Sequence, residues 1–384
     1  MNHLPESVCL RELAFAFLRL GVTSIGGPAA HIANMELEFV HRRKWLSHEK
    51  FLDLVGAASL IPGPSSSELA IYIGQLLAGP RGLAVAGACF ILPAAFIVLG
   101  FAWIYARYGT LPEVAGILYG IKPVMIAIIL QASLSLGRVA VKTRTLAAIG
   151  IGAFLLNAAG INLFLILVFA GLTSVGVRHL GKFQNKLAIT TALISCGLHE
   201  AYATPPVEAV PSLNKIFLFF LKVGSIQFGS GYVLLAFLRT DLVDHWHWLT
   251  EAQLLDATAV GQFTPGPVFT TATFIGFLVR GLPGALWATI GIFLPAFLLV
   301  MVSGRWIPKI RNSPHAGAFL DGVNVASLSL MAFVSLELGR AALIDLPTVG
   351  IAAVSGLVLF RYRPNSGWLV LAGGIVGRIF FHPQ

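Results

Sequence analysis

The amino-acid sequence repeats itself, and this repeat constrains the fold more than any other feature of the chain. Residues 17–27, FLRLGVTSIGG, align with residues 220–230, FLKVGSIQFGS, at an offset of 203 positions. The offset holds as far as two Pro-Gly-Pro (PGP) triplets, 62–64 and 265–267, and becomes 202 after the loss of one residue. Because the shifted register continues to Arg138, the chain contains two copies of one structural unit.

The repeat divides the chain into two units and a connection. We assign residues 1–178 to the first copy and residues 212–384 to the second copy. Residues 179–211, together with the flanking Arg178 and Lys215, contain Lys, Arg and two adjacent prolines, which is typical of a linker.

The composition predicts a membrane protein. Hydrophobic residues make up 57% of the chain and charged residues only 11%, whereas a soluble domain has about 25% charged residues. Apolar runs have nearly the length or the full length needed to cross a bilayer: Leu83–Tyr105, Ile117–Leu136, Leu163–Val177, Ala285–Val302, Ala318–Leu336 and Trp368–Phe381. We therefore expect an all-α polytopic membrane protein with about five spanning helices in each copy.

The loop charges predict that the two copies are inverted in the membrane. The loop 40–45, VHRRKW, is basic, whereas its equivalent, 243–248, is not. The loop 359–365, LFRYRPN, is basic, whereas its equivalent, 156–162, is neutral. Since Lys and Arg collect in cytoplasmic loops, equivalent loops lie on opposite sides of the membrane.

Each copy interrupts an apolar stretch with its PGP triplet, in SLIPGPSSSELA (59–70) and QFTPGPVFTTATF (262–274). Proline removes a backbone donor and clashes with the preceding turn, so we expect the helix over 49–61 to end there. The freed backbone groups cannot face lipid. A re-entrant hairpin over 47–80 and over 250–281 satisfies this constraint, and a tight turn between two crossings is the simpler alternative.

Paired helix breaks inside inverted repeats are typical of the substrate sites of secondary transporters. The serine hydroxyls, free N–H groups and positive helix end after the first PGP triplet favour an anion. Arg19 and Lys222 align with each other and precede a second pair of helix breaks, at 26–27 and 229–230. The predicted anion-binding residues are Arg19, Gly26, Gly27, Gly63, Ser65, Ser66, Ser67, Lys122, Lys222, Gly229, Ser230, Gly266, Thr270 and Thr271. For Arg19 and Lys222 the alternative is a side chain that extends to the membrane interface.

Three carboxylates are candidates for proton coupling. Glu68 follows the serines, and a carboxylate beside an anion is repulsive unless it is protonated; a cap or a salt bridge is the alternative. Asp53 and Asp256 align with each other, and pairing with a loop cation is their alternative role. Three histidines are interpreted as interfacial residues: His31, His245 and His247.

Other function classes lack sequence support. The chain has no nucleotide-binding loop, no catalytic motif and no cysteine pair at metal spacing, so we expect no cofactor and no metal. The net charge of +9 lies in short loops, where it orients the protein and does not indicate nucleic acid. Coupled transport, a passive anion channel and an enzyme acting on a lipid-linked anion stay open, as do proton symport or antiport and a homodimer.

Residues 17–74 and 220–300 resemble the N-terminal and C-terminal domains of the chromate ion transporter family. The family's GGP and PGP motifs correspond to residues 26–28 and 62–64, with PGP again at 265–267. The resemblance implies a long-chain, two-domain protein of the bacterial inner membrane that exports chromate with the proton gradient. Sulfate or a related oxyanion is the alternative substrate, because sulfate and chromate share charge and shape.

Overall fold

The structure of the protein is a computed structural model that describes residues 8–25, 27–109, 111–179, 211–228, 233–303, 313–362, 364 and 366–380. Every regular element within these ranges is helical, which confirms the all-α prediction. The predicted linker lies outside the described residues except at its two ends.

The helices of the first copy follow the chain in this order: α1 (Leu10–Thr23), α2 (Gly27–Glu36) continuing as a π-helix (Leu37–Arg42), α3 (His48–Ala58), α4 (Ser65–Tyr108), α5 (Pro112–Ala140), α6 (Arg144–Ala158) and α7 (Leu163–His179).

The helices of the second copy repeat that order: α8 (Leu213–Ile226), α9 (Leu234–Leu238) continuing as a π-helix (Arg239–His245), α10 (Glu251–Phe263), a 3₁₀ turn (Val268–Thr270), α11 (Thr271–Ser303), α12 (Pro314–Ala342), α13 (Leu346–Tyr362) and α14 (Ser366–Phe380).

The sequence repeat is reproduced in the backbone dihedral angles. Helix α4 is broken at Ala78 and Gly79, where Gly79 has φ 64° and ψ −153°. Helix α11 is broken at Arg280 and Gly281, where Gly281 has φ 63° and ψ −155°. Each long helix is therefore a hairpin of two arms, and in α4 the first arm covers residues 65–77.

The π-helices are a second feature that both copies share. Each one leads into a non-glycine residue with positive φ, Lys44 at 55° and His247 at 51°. These two residues are equivalent at the offset of 203. An uncommon left-handed backbone kept at matched positions shows that the copies share local geometry as well as sequence.

Glycines allow the two arms of each hairpin to touch. A β-carbon added at Gly74 would overlap the carbonyl oxygen of Gly82, and one added at Gly276 would overlap that of Gly284. The arms therefore meet backbone to backbone, which is the close approach that small residues permit between membrane helices.

The two copies are inverted relative to each other, as the loop charges predict. A β-carbon at Gly137 of α5 would lie 3.4 Å from Leu328 Cδ2 of α12, and one at Gly339 would lie 3.9 Å from Ile126 Cγ2. The late part of each helix thus faces the middle of the other, and the contact moves toward the start of one helix as it moves toward the end of the other, so these equivalent helices run antiparallel. If a two-fold axis along the membrane normal related the copies, the equivalent helices α5 and α12 would be parallel.

Four helical segments among the described residues are long and apolar enough to cross a membrane: α4, α5, α12 and the segment Val268–Ser303. The prediction of five crossings in each copy is not tested by this finding. Helices α3 and α10 have 11 and 13 residues, or about 16 and 20 Å at 1.5 Å per residue. Both are shorter than the ~30 Å hydrocarbon core, as a re-entrant hairpin requires.

We expect Gly74→Ala to destabilise the protein, because its methyl group would meet the Gly82 carbonyl. Overpacking of this kind costs about 1–3 kcal/mol. Gly100→Ala is the matched control in the same helix, since a β-carbon there meets nothing within 4 Å. The midpoint of thermal unfolding in detergent should fall for Gly74→Ala and not for Gly100→Ala. Equal midpoints would show that the arms do not meet as described.

Candidate functional site

The two PGP loops dock crosswise, each onto the other copy. The Gly63 N–H donates a hydrogen bond of 2.7 Å to the Gln227 carbonyl, and the Gly266 N–H donates one of 2.9 Å to the Ser24 carbonyl. Ser24 and Gln227 are the C-caps of α1 and α8. Each loop therefore satisfies the helix break of the opposite copy, and the two bonds are equivalent at the offset of 203.

Both loops require glycine at their centre. Gly63 has φ 138° and Gly266 has φ 90°, a region that side chains with a β-carbon rarely adopt. A β-carbon at Gly63 would lie 2.5 Å from Glu68 Oε1, and one at Gly266 would overlap the Ala94 β-carbon. The triplets are thus tightly packed elements at the boundary between the copies.

The helix after the first PGP loop begins where the sequence predicts, whereas the helix after the second PGP loop begins later. Helix α4 begins at Ser65, directly after the loop, whereas a 3₁₀ turn over residues 268–270 precedes α11. The second copy is one residue shorter than the first close to this tighter turn. Helix α3 ends at Ala58, three residues earlier than the expected end at Ile61.

A group of buried polar residues lies at the start of α4; we call His31, Ser66, Ser67 and Glu68 the first-copy polar cluster. His31 Nδ1 lies 3.2 Å from Ser66 Oγ, within hydrogen-bond distance. The Ser67 hydroxyl and both Glu68 carboxyl oxygens are buried and have no hydrogen-bond partner among the described residues. His31 is only 1% exposed, so its interpretation as an interfacial residue is wrong.

This cluster reaches both PGP loops. Glu68 lies beside Gly63 of the first loop, and α4 begins directly after that loop. On the other side, the Ser24 carbonyl accepts the bond from Gly266 of the second loop, and the Ser24 hydroxyl accepts one of 3.3 Å from Asn34 Nδ2 on the helix that carries His31. The cluster therefore lies where the two copies meet.

The second copy has no comparable cluster at the matching positions. Leu234 stands where the first copy has His31, and Phe269 stands where it has Ser66. The predicted site residues Thr270 and Thr271 are buried, but their hydroxyls donate to carbonyls of their own turn at 2.8 and 2.7 Å. The PGP loops have equivalent backbone contacts in the two copies, whereas the polar side chains that follow them are different.

A second polar group joins the copies away from the loops. Lys122 Nζ of α5 lies 3.5 Å from Asp256 Oδ1 of α10, and the Tyr105 hydroxyl donates a 2.8 Å bond to Asp256 Oδ2. Asp256 is 2% exposed, whereas its equivalent Asp53 is exposed. Asn324 stands at the position equivalent to Lys122. The partner of Asp256 is thus a helix lysine rather than a loop cation.

The structure places the two predicted cations on outer faces. Arg19 is exposed on α1, and Lys222 is exposed on α8, where its ammonium lies 3.3 Å from Asp241 Oδ2. The buried residues of α1, Leu13, Phe17 and Leu20, recur at helical spacing, so the periodicity could have indicated that Arg19 faces outward.

The helix breaks after α1 and α8 are described only in part. Gly27 opens α2 with φ 81°, which agrees with a break at that point. Gly26, Gly229 and Ser230 lie outside the described residues.

Comparison with known proteins matches two segments of the chain to one family. The family model described as "Chromate transporter" matches residues 11–175 and 214–378. A probable chromate transport protein of Synechococcus elongatus is 34% identical over 99% of this chain and 98% of its own length. Chromate transport proteins of Cupriavidus metallidurans and Pseudomonas aeruginosa are 30% and 28% identical, each over 99% of this chain and 95% of their own length. No solved structure matches the chain.

We expect Asp256→Leu alone to destabilise the protein by about 3 kcal/mol, because it leaves the Lys122 ammonium without its counter-charge. The double variant Lys122→Met with Asp256→Leu should regain most of this loss. Thermal unfolding of the two single variants and the double variant measures the coupling. Asp53→Leu, at the exposed equivalent position, is the control with a smaller effect. Strictly additive costs would show that the pair is not energetically coupled.

Proposed function

This chain belongs to the chromate transporter family, and on that premise we propose that it exports chromate from the cytoplasm across the bacterial inner membrane in a proton-coupled cycle that the membrane potential drives. The observation that carries the proposal is the first-copy polar cluster, buried beside both PGP loops where the copies meet. Transporters with inverted repeats hold their substrates at such paired helix breaks.

The start of α4 supplies the groups that bind a tetrahedral dianion. The backbone N–H groups of Ser65 and Ser66 have no backbone acceptor among the described residues, and the helix terminus carries about half a positive charge. The Ser67 hydroxyl is buried and has no partner within the same part of the chain. Chromate offers oxygen acceptors on all sides, so it can accept from these donors together.

Glu68 determines when an anion can enter. Its carboxyl group is fully buried beside the proposed anion site, and a buried carboxylate without a partner is costly in its ionised form. An ionised Glu68 would also repel a dianion. The site therefore accepts the anion when Glu68 carries a proton, so that proton and anion bind together rather than in exchange.

The alternatives are less well supported by the geometry. For an enzyme, the nearby carboxylate pair in the sequence is Asp53 with Glu68, and the structure exposes Asp53 and buries Glu68. The family is a transporter family rather than an enzyme family. Sulfate has the charge and shape of chromate, so the transport assay is needed to distinguish the two substrates.

The function is tested by uptake of radiolabelled chromate into everted membrane vesicles that contain the protein and are energised with NADH. We expect energised uptake that excess sulfate inhibits only weakly. Valinomycin with potassium, which collapses the membrane potential, should abolish uptake, and nigericin, which collapses the pH gradient, should not.

Two other results of this assay would change the proposal. Vesicles that accumulate sulfate and not chromate would keep the family and overturn the substrate. Uptake that nigericin also reduces would favour exchange of chromate for protons over their joint movement, because that exchange uses the pH gradient.

We expect Glu68→Gln to keep chromate transport and to lose its pH dependence. In the unmodified protein, the rate should fall as pH rises on the loading side, because ionised Glu68 repels the anion. The glutamine is neutral at every pH, so the rate should stay flat. Glu113→Gln, at the exposed start of α5, is the matched control. A variant with the original pH profile would exclude Glu68 as the coupling group.

A further inference from the structure

A long groove runs between α5 and α12; we call it the α5–α12 groove. Its volume is about 1020 Å³, which is at the upper end of about 300–1,000 Å³ for ligand pockets. Equivalent residues of the two copies line it in pairs, among them Ser133 with Ser335, Gly137 with Gly339, and Arg138 with Arg340. The groove therefore lies on the approximate two-fold axis between the copies.

The middle of the groove is suited to hydrocarbon. Leu130, Leu134 and Leu336 line it and are 49%, 49% and 59% exposed. The hydroxyls of Ser133 and Ser335 donate to carbonyls of their own helices at 2.8 and 2.7 Å, so they do not require a polar ligand.

The groove also has the length for hydrocarbon chains. On α5 its lining extends from Ile126 to Val141, or about 22 Å at 1.5 Å per residue. This is most of the ~30 Å hydrocarbon core.

The two ends of the groove differ in charge although their arginines are equivalent. Arg340 at one end pairs with Glu337 at 3.1 Å. Arg138 at the other end is exposed and has no acidic partner within the described ranges. Lys142 follows it at a position equivalent to Ile344, but its ammonium is paired with Asp321 at 2.8 Å. Only the Arg138 end thus presents an unneutralised cation to a ligand.

We propose that the α5–α12 groove binds one anionic phospholipid. The lipid phosphate accepts hydrogen bonds from the Arg138 guanidinium, which suits phosphate geometry, and the acyl chains lie between the exposed leucines. Basic pockets between membrane helices are known to hold anionic headgroups. This proposal does not depend on which anion the protein transports.

A second copy of the chain fits the groove less well than a lipid does. A two-fold axis along the membrane normal would bring Arg138 of one molecule toward Arg138 of the other. Like charges at an interface disfavour association. A free phosphate ion would use the arginine but none of the apolar walls.

The test is native mass spectrometry of the full-length protein in mild detergent, titrated with phosphatidylglycerol or with phosphatidylcholine of the same chain length. We expect the protein to prefer phosphatidylglycerol by about fivefold, the effect of one cation near an anionic lipid. Arg138→Gln should remove this preference and Arg138→Lys should retain most of it. Arg340→Gln is the matched control and should retain it, because Arg340 is already paired with Glu337.

Several results would overturn the proposal. Equal binding of the two lipids by the unmodified protein would do so, as would equal losses in Arg138→Gln and Arg340→Gln. Displacement of the lipid by millimolar inorganic phosphate would indicate a simple anion site. If Arg138→Gln does not fold, Leu134→Trp, which fills the groove, should weaken binding of phosphatidylglycerol. Loss of dimerisation in Leu134→Trp with unchanged lipid binding would assign the groove to a second copy.

Discussion

The structure depends on one constraint, which is that backbone polar groups inside a membrane must be hydrogen-bonded within the protein. Each PGP triplet breaks a helix and frees such groups. The crosswise bonds from Gly63 to Gln227 and from Gly266 to Ser24 satisfy one donor of each loop and one carbonyl at the opposite helix end. Because each loop uses an acceptor from the opposite copy, neither break is fully satisfied by its own unit. The backbone around the candidate site is therefore held by contacts that need both copies.

Within this symmetric backbone, the two copies carry different charges, and the difference assigns roles to the buried acids. Asp256 is buried with Lys122 and Tyr105 around it, so its charge is compensated in the folded protein. Glu68 is buried with no partner among the described residues. A change of protonation therefore has its largest consequence at Glu68. This is why we propose Glu68 as the coupling group and regard Asp256 as part of the contact between the copies.

The sequence predicted features that recur or that follow from local chemistry: the two copies, their inversion, the membrane-length helices and the helix start at Ser65. It did not predict the buried position of His31 or the pairing of Lys122 with Asp256. Both depend on contacts between helices that are far apart in the chain, and such contacts leave no periodic pattern in the sequence. The π-helices were also not predicted, because the residue types that form them differ little from those that form α-helices. Arg19 is a different case, since the apolar spacing of α1 already indicates an outward side chain.

The membrane potential gives the proposed export a driving force without proton exchange. Moving one charge through 100 mV is worth about 2.3 kcal/mol, so a dianion leaving a negative interior gains about 4.6 kcal/mol. A proton that the Glu68 carboxyl group carries outward with the anion cancels one of the two negative charges. The membrane potential still favours export of the remaining single negative charge. The proton thus lowers the electrostatic cost of occupying a buried site and reduces the energy released per cycle. Under this arrangement, coupling and anion binding are two consequences of the same unpaired carboxyl group.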